Sequence, residues 1–176
     1  FLKYPEIMLV KSQLMPGELG KAREHLLRYY YIQDLSSMMP VLALSPNEKE
    51  FVLDLCAAPG SKSTQIAARM KNSGLFICND NRLDRISILS SNLERCGVTN
   101  VVVSMEDAAN LCYKLEGRMQ FDKILLDASC SGEGTRDEKL FKIWNFKMIE
   151  KFSRQQKRLA SYAMRVLKKD GILIYS

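Results

Sequence analysis

Four short stretches of this chain set a carboxylate or a thiol among small residues. The first is Asp54-Leu-Cys-Ala-Ala-Pro-Gly-Ser-Lys62. Small side chains between a strand and a helix let a ligand approach the backbone, and the helix amino terminus offers unpaired N–H groups to a carboxylate. A plain tight turn would explain Pro59-Gly60, but not the other small residues together with an acid and a lysine. Asp80 follows Gly60 by 20 residues; at a strand end its carboxylate can accept both hydroxyls of a ribose. Asp107 could bond an adenine amino group, although an exposed loop acid would look the same. Asp127-Ala-Ser-Cys-Ser-Gly-Glu-Gly134 joins an acid to the thiol of Cys130. Together these stretches fit the parts of a nucleoside-containing ligand held beside a thiol, although a lone loop cysteine is more often inert.

The elements that must carry them are legible as alternating strands and helices. Residues 51–57, 74–80, 101–103 and 121–127 are short apolar runs bounded by turn residues, as buried strands would be. Ile66, Ala67 and Met70 share one helical face, and Ile86, Leu89, Leu93 and Cys96 share another that Gly97 closes. Met148, Phe152, Leu159, Ala163 and Val166 mark a long helix, and residues 171–175 begin a fifth strand. Such alternation predicts right-handed βαβ crossovers, hence an α/β fold with a mostly parallel sheet flanked by helices. Ligands of such sheets bind at the carboxyl ends of the strands. Earlier in the chain, residues 7–10 suggest a strand and residues 32–44 a helix capped near Asp34 or Ser36. The division expected is residues 1–45 as a linker and packing helix from a separate amino-terminal domain, and 46–176 as the catalytic core.

Composition narrows the class. The 176 residues are 47 % hydrophobic and 26 % charged, enough for one packed core. No apolar run approaches the ~20 residues of a membrane helix, and no signal pattern opens the chain, so no membrane partner and an intracellular location are expected. Five cysteines lie 16 to 22 residues apart without a Cys-x-x-Cys pair, and there is one His. That spacing argues against a zinc site or a disulfide scaffold, and no metal is expected. The net charge of +6 is concentrated: residues 135–176 carry eleven basic and four acidic side chains. Such a surplus attracts polyanions, or else is a solvated helix face. For nucleic-acid contact the candidates are Lys139, Lys142, Lys147, Arg154, Lys157, Arg158 and Arg165. A nicotinamide dinucleotide fits the first loop badly, since no Gly-x-Gly-x-x-Gly follows any strand.

In the same order, these motifs closely resemble those of the RNA 5-methylcytosine methyltransferase family typified by Fmu (Nol1/Nop2/Sun), with a Rossmann-like class I fold. Asp54 to Lys62 matches its Asp-x-Cys-Ala-Ala-Pro-Gly-x-Lys, and Asp127 to Gly134 its Asp-x-Pro-Cys-Ser-Gly-x-Gly except that Ser129 replaces Pro. Residues 31–37, Tyr-Ile-Gln-Asp-Leu-Ser-Ser, resemble the family's segment ahead of the first strand. The resemblance implies S-adenosyl-L-methionine as cofactor and transfer or ribosomal RNA as partner. It places the methionine portion on Cys56, Ala57, Ala58, Pro59, Gly60, Ser61 and Lys62, and the ribose on Asp80 with Arg85 near. Asp107 would meet the adenine, and Asp127 would lie between cofactor and base. The location implied is cytoplasmic in a prokaryote, nuclear or nucleolar in a eukaryote.

Cytosine carbon 5 is a weak nucleophile; a thiolate adding to carbon 6 makes it enamine-like. In the family that attacking cysteine follows the fifth strand, and the cysteine matching Cys130 assists product release. Since this chain stops at Tyr175-Ser176, the expectation is a chain truncated before its last strands, with the nucleophile beyond Ser176, Cys130 as helper and Asp127 near N3 of the base. The alternatives are a methyltransferase of the same fold acting on another target with Cys130 itself attacking, and a degenerate RNA-binding module.

Overall fold

The computed structural model describes residues 7, 8, 10, 15, 17–27, 29–132 and 144–176. The chain forms two compact units, Phe1–Ile32 and Gln33–Ser176. In the first, two single-turn helices follow one another, α1 (Glu18–Lys21) and α2 (Arg23–Leu26), and neither buries a residue. The Tyr30 hydroxyl donates to Leu19 O at 2.8 Å. The strand expected over residues 7–10 is absent at Ile7, Met8 and Val10; Leu9 lies outside the described residues.

The second unit opens with α3 (Leu35–Leu44), shorter by three residues than the expected helix and with Asp34 at its amino-terminal cap position. There follow β1 (Phe51–Asp54), α4 (Ser61–Met70), β2 (Leu75–Asp80), α5 (Leu83–Arg95), β3 (Val101–Met105), α6 (Ala108–Leu115), β4 (Phe121–Leu126), α7 (Phe146–Arg165) and β5 (Leu167–Tyr175). All five strands are parallel, in the order β3-β2-β1-β4-β5. The chain steps outward one way from β1 and then returns to β4 on its other side. The switch point therefore lies between β1 and β4, where an open sheet leaves a crevice at its carboxyl edge.

The strand period of two divides the core cleanly. Val52, Phe76, Cys78 and Leu125 face one layer with Leu44 of α3, Ile66 and Met70 of α4 and Leu89 and Leu93 of α5. Leu53, Ile77, Ile124 and Leu126 face the other, with Ala109 and Cys112 of α6 and Leu159 and Ala163 of α7. Most of these side chains are wholly buried, at a gain of about 1.5–3 kcal/mol for each large one.

Two expected strand boundaries move by three residues or more. The first strand ends at Asp54 rather than residue 57, because the chain turns there. Its backbone bonds nonetheless continue, Leu55 N–H donating to Leu125 O at 3.0 Å and Ala57 N–H to Asn79 O at 2.8 Å. The fifth strand begins at Leu167, four residues early, and accommodates this with an irregularity opposite residues 121–123. Gly171 is needed there, since a Cβ would lie 3.0 Å from Asp122 O. Helix α6 has too short an apolar pattern to have been expected at all.

Candidate active site

The loop after β1 is built around a buried acid. Asp54 is 1 % exposed, its Oδ2 accepts from the Ser63 hydroxyl at 2.8 Å and its Oδ1 from Cys56 N–H at 3.4 Å. Burial pushes its carboxyl up to about 7, against the hydrogen bond from Ser63, and the nearby Asp127 charge adds to the rise. Gly60 then starts α4 at φ 108°, in the left-handed region that favours glycine. A Cβ there would also lie 3.2 Å from Leu89 Cδ1, so the loop sits directly on α5. That helix holds the loop by its carbonyls: Asn92 Nδ2 donates to Pro59 O at 2.8 Å, and Arg85 Nη2 donates to Ala58 O. The Ala58–Pro59 peptide is cis.

Asp80 ends β2 at 2 % exposure. Its Oδ1 accepts from Arg82 N–H at 3.2 Å. Arg85 Nη1 lies 3.1 Å from its Oδ2, yet off hydrogen-bond alignment, so that buried oxygen accepts no hydrogen bond. A buried acceptor without a donor is costly unless a ligand supplies one, and Asp80 lines a pocket with Cys56, Arg85, Asp107, Ser129 and Gln155. The residues present therefore fit a ribose at this position.

Sequence reasoning missed Asn79, the hinge pin of this rim. It is 1 % exposed. Its Nδ2 lies 3.2 Å from Leu55 O and 3.0 Å from Glu106 O, and its Oδ1 accepts from Glu106 N–H at 3.1 Å. One side chain thus ties together the ends of β1, β2 and β3. The available signal was an amide at the end of an otherwise apolar strand, next to Asp80. Asp107, expected as a ligand group or an exposed loop acid, caps α6: its Oδ1 accepts from Ala109 and Asn110 N–H, each at 3.1 Å.

Across the switch point, Asp127 follows β4 and pairs through Oδ2 with Lys62 Nζ at 2.7 Å. The first and fourth motifs are thereby joined, 65 residues apart in sequence. Cys130 is exposed. Burial raises the thiols of Cys56 and Cys112 to about 12 and that of Cys78 well above its ordinary value, which leaves them protonated and poor nucleophiles. The end of the fourth motif, Glu133-Gly134, lies outside the described residues. Among those that are described, no cluster of His, Cys, Asp and Glu suits a metal ion, and no helix is long and apolar enough to cross a membrane.

The basic helix is less free than its composition suggested. Arg158 pairs with Asp107 at 3.2 Å and Arg165 with Glu116 at 3.5 Å. Both guanidinium groups lie over the Tyr162 ring, at 5.9 and 4.6 Å from its centroid. Those two arginines fasten α7 to α6, while Lys147, Arg154 and Lys157 remain exposed. Lys139 and Lys142 lie outside the described residues.

The family model described as 16S rRNA methyltransferase RsmB/F matches residues 41–176. The ribosomal RNA small subunit methyltransferases F of Psychromonas ingrahamii and Vibrio parahaemolyticus are each 46 % identical, over 95 % and 90 % of this chain. The matches take in 36 % and 34 % of those proteins, so the chain spans about a third of the length of the curated relatives it matches. Among solved structures, NSun6 from Pyrococcus horikoshii with SFG, an S-adenosylmethionine analogue, superposes with a TM-score of 0.81 at 35 % identity. That similarity covers 89 % of this chain and 40 % of the other. A methyltransferase homologue from Pyrococcus horikoshii gives 0.80 at 35 % identity, covering 92 % of this chain and 50 % of the other. With its five parallel strands and its matched span from α3 through β5, this chain belongs to the RsmB/F family of 16S rRNA methyltransferases.

Proposed function

We propose that the protein to which this chain belongs is an S-adenosylmethionine-dependent methyltransferase acting on carbon 5 of a cytosine in small-subunit ribosomal RNA. The observation that carries the cofactor is Asp80, which lines the pocket and whose buried Oδ2, with the Arg85 guanidinium 3.1 Å away, accepts no hydrogen bond within the fold. Ribosomal RNA, rather than transfer RNA, is favoured by the relatives' names.

When bound, the cofactor supplies an electrophilic methyl group on a sulfonium. The chain's own residues do the rest. Asp80 accepts the ribose hydroxyls, Asp107 offers its second oxygen to the adenine amino group, and the backbone from Cys56 to Lys62 cradles the methionine portion. Arg85 and Asn92 keep that backbone still by holding the carbonyls of Ala58 and Pro59. Lys62 anchors Asp127 at the rim, from where its carboxyl meets N3 of a base that has left its stack.

Strand β5 ends beside Asp127, Ser176 N–H donating to Leu126 O at 3.1 Å. The family resemblance assigns the attacking thiolate to chain that follows β5. Addition of its sulfur to carbon 6 places an electron pair on carbon 5, which takes the methyl group. Loss of the carbon 5 proton then regenerates the double bond and expels the thiolate. Cys130, exposed three residues after Asp127, assists that release.

The test uses the complete protein, labelled donor and a small-subunit rRNA transcript. Label at carbon 5 of cytosine is expected, with a covalent protein–RNA adduct that persists in Cys130→Ala. Label at another atom refutes the substrate. Disappearance of the adduct in Cys130→Ala makes Cys130 the nucleophile, the second reading, which its exposure favours.

A further inference from the structure

Helix α7 brings two adjacent glutamines to the rim of the pocket. Gln155 lines it beside Ser129 and Asp107. Gln156, about 100° further round the helix, uses its amide to span two other elements. Its Nε2 donates to Ser129 O at 2.9 Å, and its Oε1 accepts from the Tyr175 hydroxyl at 2.9 Å. Ser129 sits between Asp127 and Cys130. Tyr175 is the last residue of β5, in register with Leu126 of β4.

The amide therefore links the loop that carries Cys130 to the strand end from which the next segment departs. A proline at position 129 would fix φ by its ring. Serine leaves that angle free, and the bond from Gln156 to the Ser129 carbonyl restrains the backbone in its stead.

Resting on the methyltransferase reading above, we propose that Gln156 is a positioning residue that holds the Cys130 loop in register with the end of β5. The helper thiol and the attacking thiol then meet one base from fixed directions. Gln156 touches neither cofactor nor base; it acts through the Ser129 carbonyl and the Tyr175 hydroxyl.

The complete protein tests this with Gln156→Leu, which removes both bonds, and Tyr175→Phe, which removes one. Hydrogen exchange of the peptide covering residues 127–132 should quicken several-fold in Gln156→Leu and less in Tyr175→Phe. Adding Tyr175→Phe to Gln156→Leu should change nothing more. Donor affinity by calorimetry should stay at the wild-type value, while turnover falls about tenfold and covalent RNA adduct accumulates as in Cys130→Ala. Gln156→Glu, which keeps an acceptor for Tyr175 but loses the donor to Ser129, should behave like Gln156→Leu. Unchanged loop exchange overturns the tether whatever the activity. Faster exchange with wild-type turnover and no adduct overturns its part in the reaction. A wild-type protein that makes no 5-methylcytosine sinks the methyltransferase reading instead, and the exchange result still decides the tether.

Discussion

Asp54 and Asp80 are both strand-end carboxylates at 1–2 % exposure, yet they answer to different physics. Asp54 has its oxygens satisfied inside the protein and titrates near 7 against an ordinary 3.8. A carboxyl raised on folding binds its proton more tightly in the native state. Its contribution to stability is thus fully present below about pH 4 and is lost as the pH rises through about 7. Asp54→Asn keeps an acceptor for Ser63 without the charge. Its unfolding free energy should gain on wild type as the pH rises from about 4 to about 7, by an amount on the order of a few kcal/mol; an unchanged difference in stability between the two proteins across that range would remove the titration from the account. Asp80 has an oxygen that sits beside the Arg85 charge but accepts no hydrogen bond. Asp80→Asn should weaken donor binding about ten- to a hundredfold, the ~1–3 kcal/mol of a charge-assisted hydrogen bond. Calorimetry at wild-type affinity would take Asp80 out of the cofactor site. Both acids were legible from their places at the ends of apolar runs. That only one has room for a ligand was not, because it depends on Ser63 and Cys56 closing over Asp54.

At the scale of elements, the crevice exists because three strand ends are held level. Asn79 does this with three contacts reaching Leu55 and Glu106. Asn79→Ala would leave the Leu55 and Glu106 carbonyls and the Glu106 N–H without their partner, at a cost of about 2–4 kcal/mol. Urea unfolding should show that as a lower midpoint at unchanged slope. A midpoint equal to wild type would mean water replaces the side chain without loss. The strands themselves were readable from apolar runs of the right length. Helix α6 was not, since its eight residues rest on the Asp107 cap and on packing of Ala109 and Cys112 against the sheet. Likewise the start of β5 at Leu167 follows from pairing with β4 and not from local hydrophobicity, for Lys168, Lys169 and Asp170 read as a loop.

At the scale of the whole molecule, the basic carboxyl-terminal third divides into fasteners and free charge. If α7 meets RNA, Lys147→Gln with Lys157→Gln should lower affinity and flatten its logarithmic salt slope by about 0.7–0.9 per charge removed. Arg158→Gln should act mainly on thermal stability, because Arg158 pairs with Asp107 and lies over Tyr162. Equal salt slopes for the double variant and wild type would leave those lysines as ordinary surface charge. The sequence by itself determined the α/β alternation, the order of the motifs and the kind of ligand they suit, because periodicity and residue type are local properties. Only the tertiary structure decided that Lys62 meets Asp127, that Arg158 and Arg165 are already engaged, and that Asn79 and Gln156 bridge elements. Each of those depends on strand order and on how α7 lies across the sheet, and distances between residues remote in sequence are set by packing rather than by any pattern along the chain.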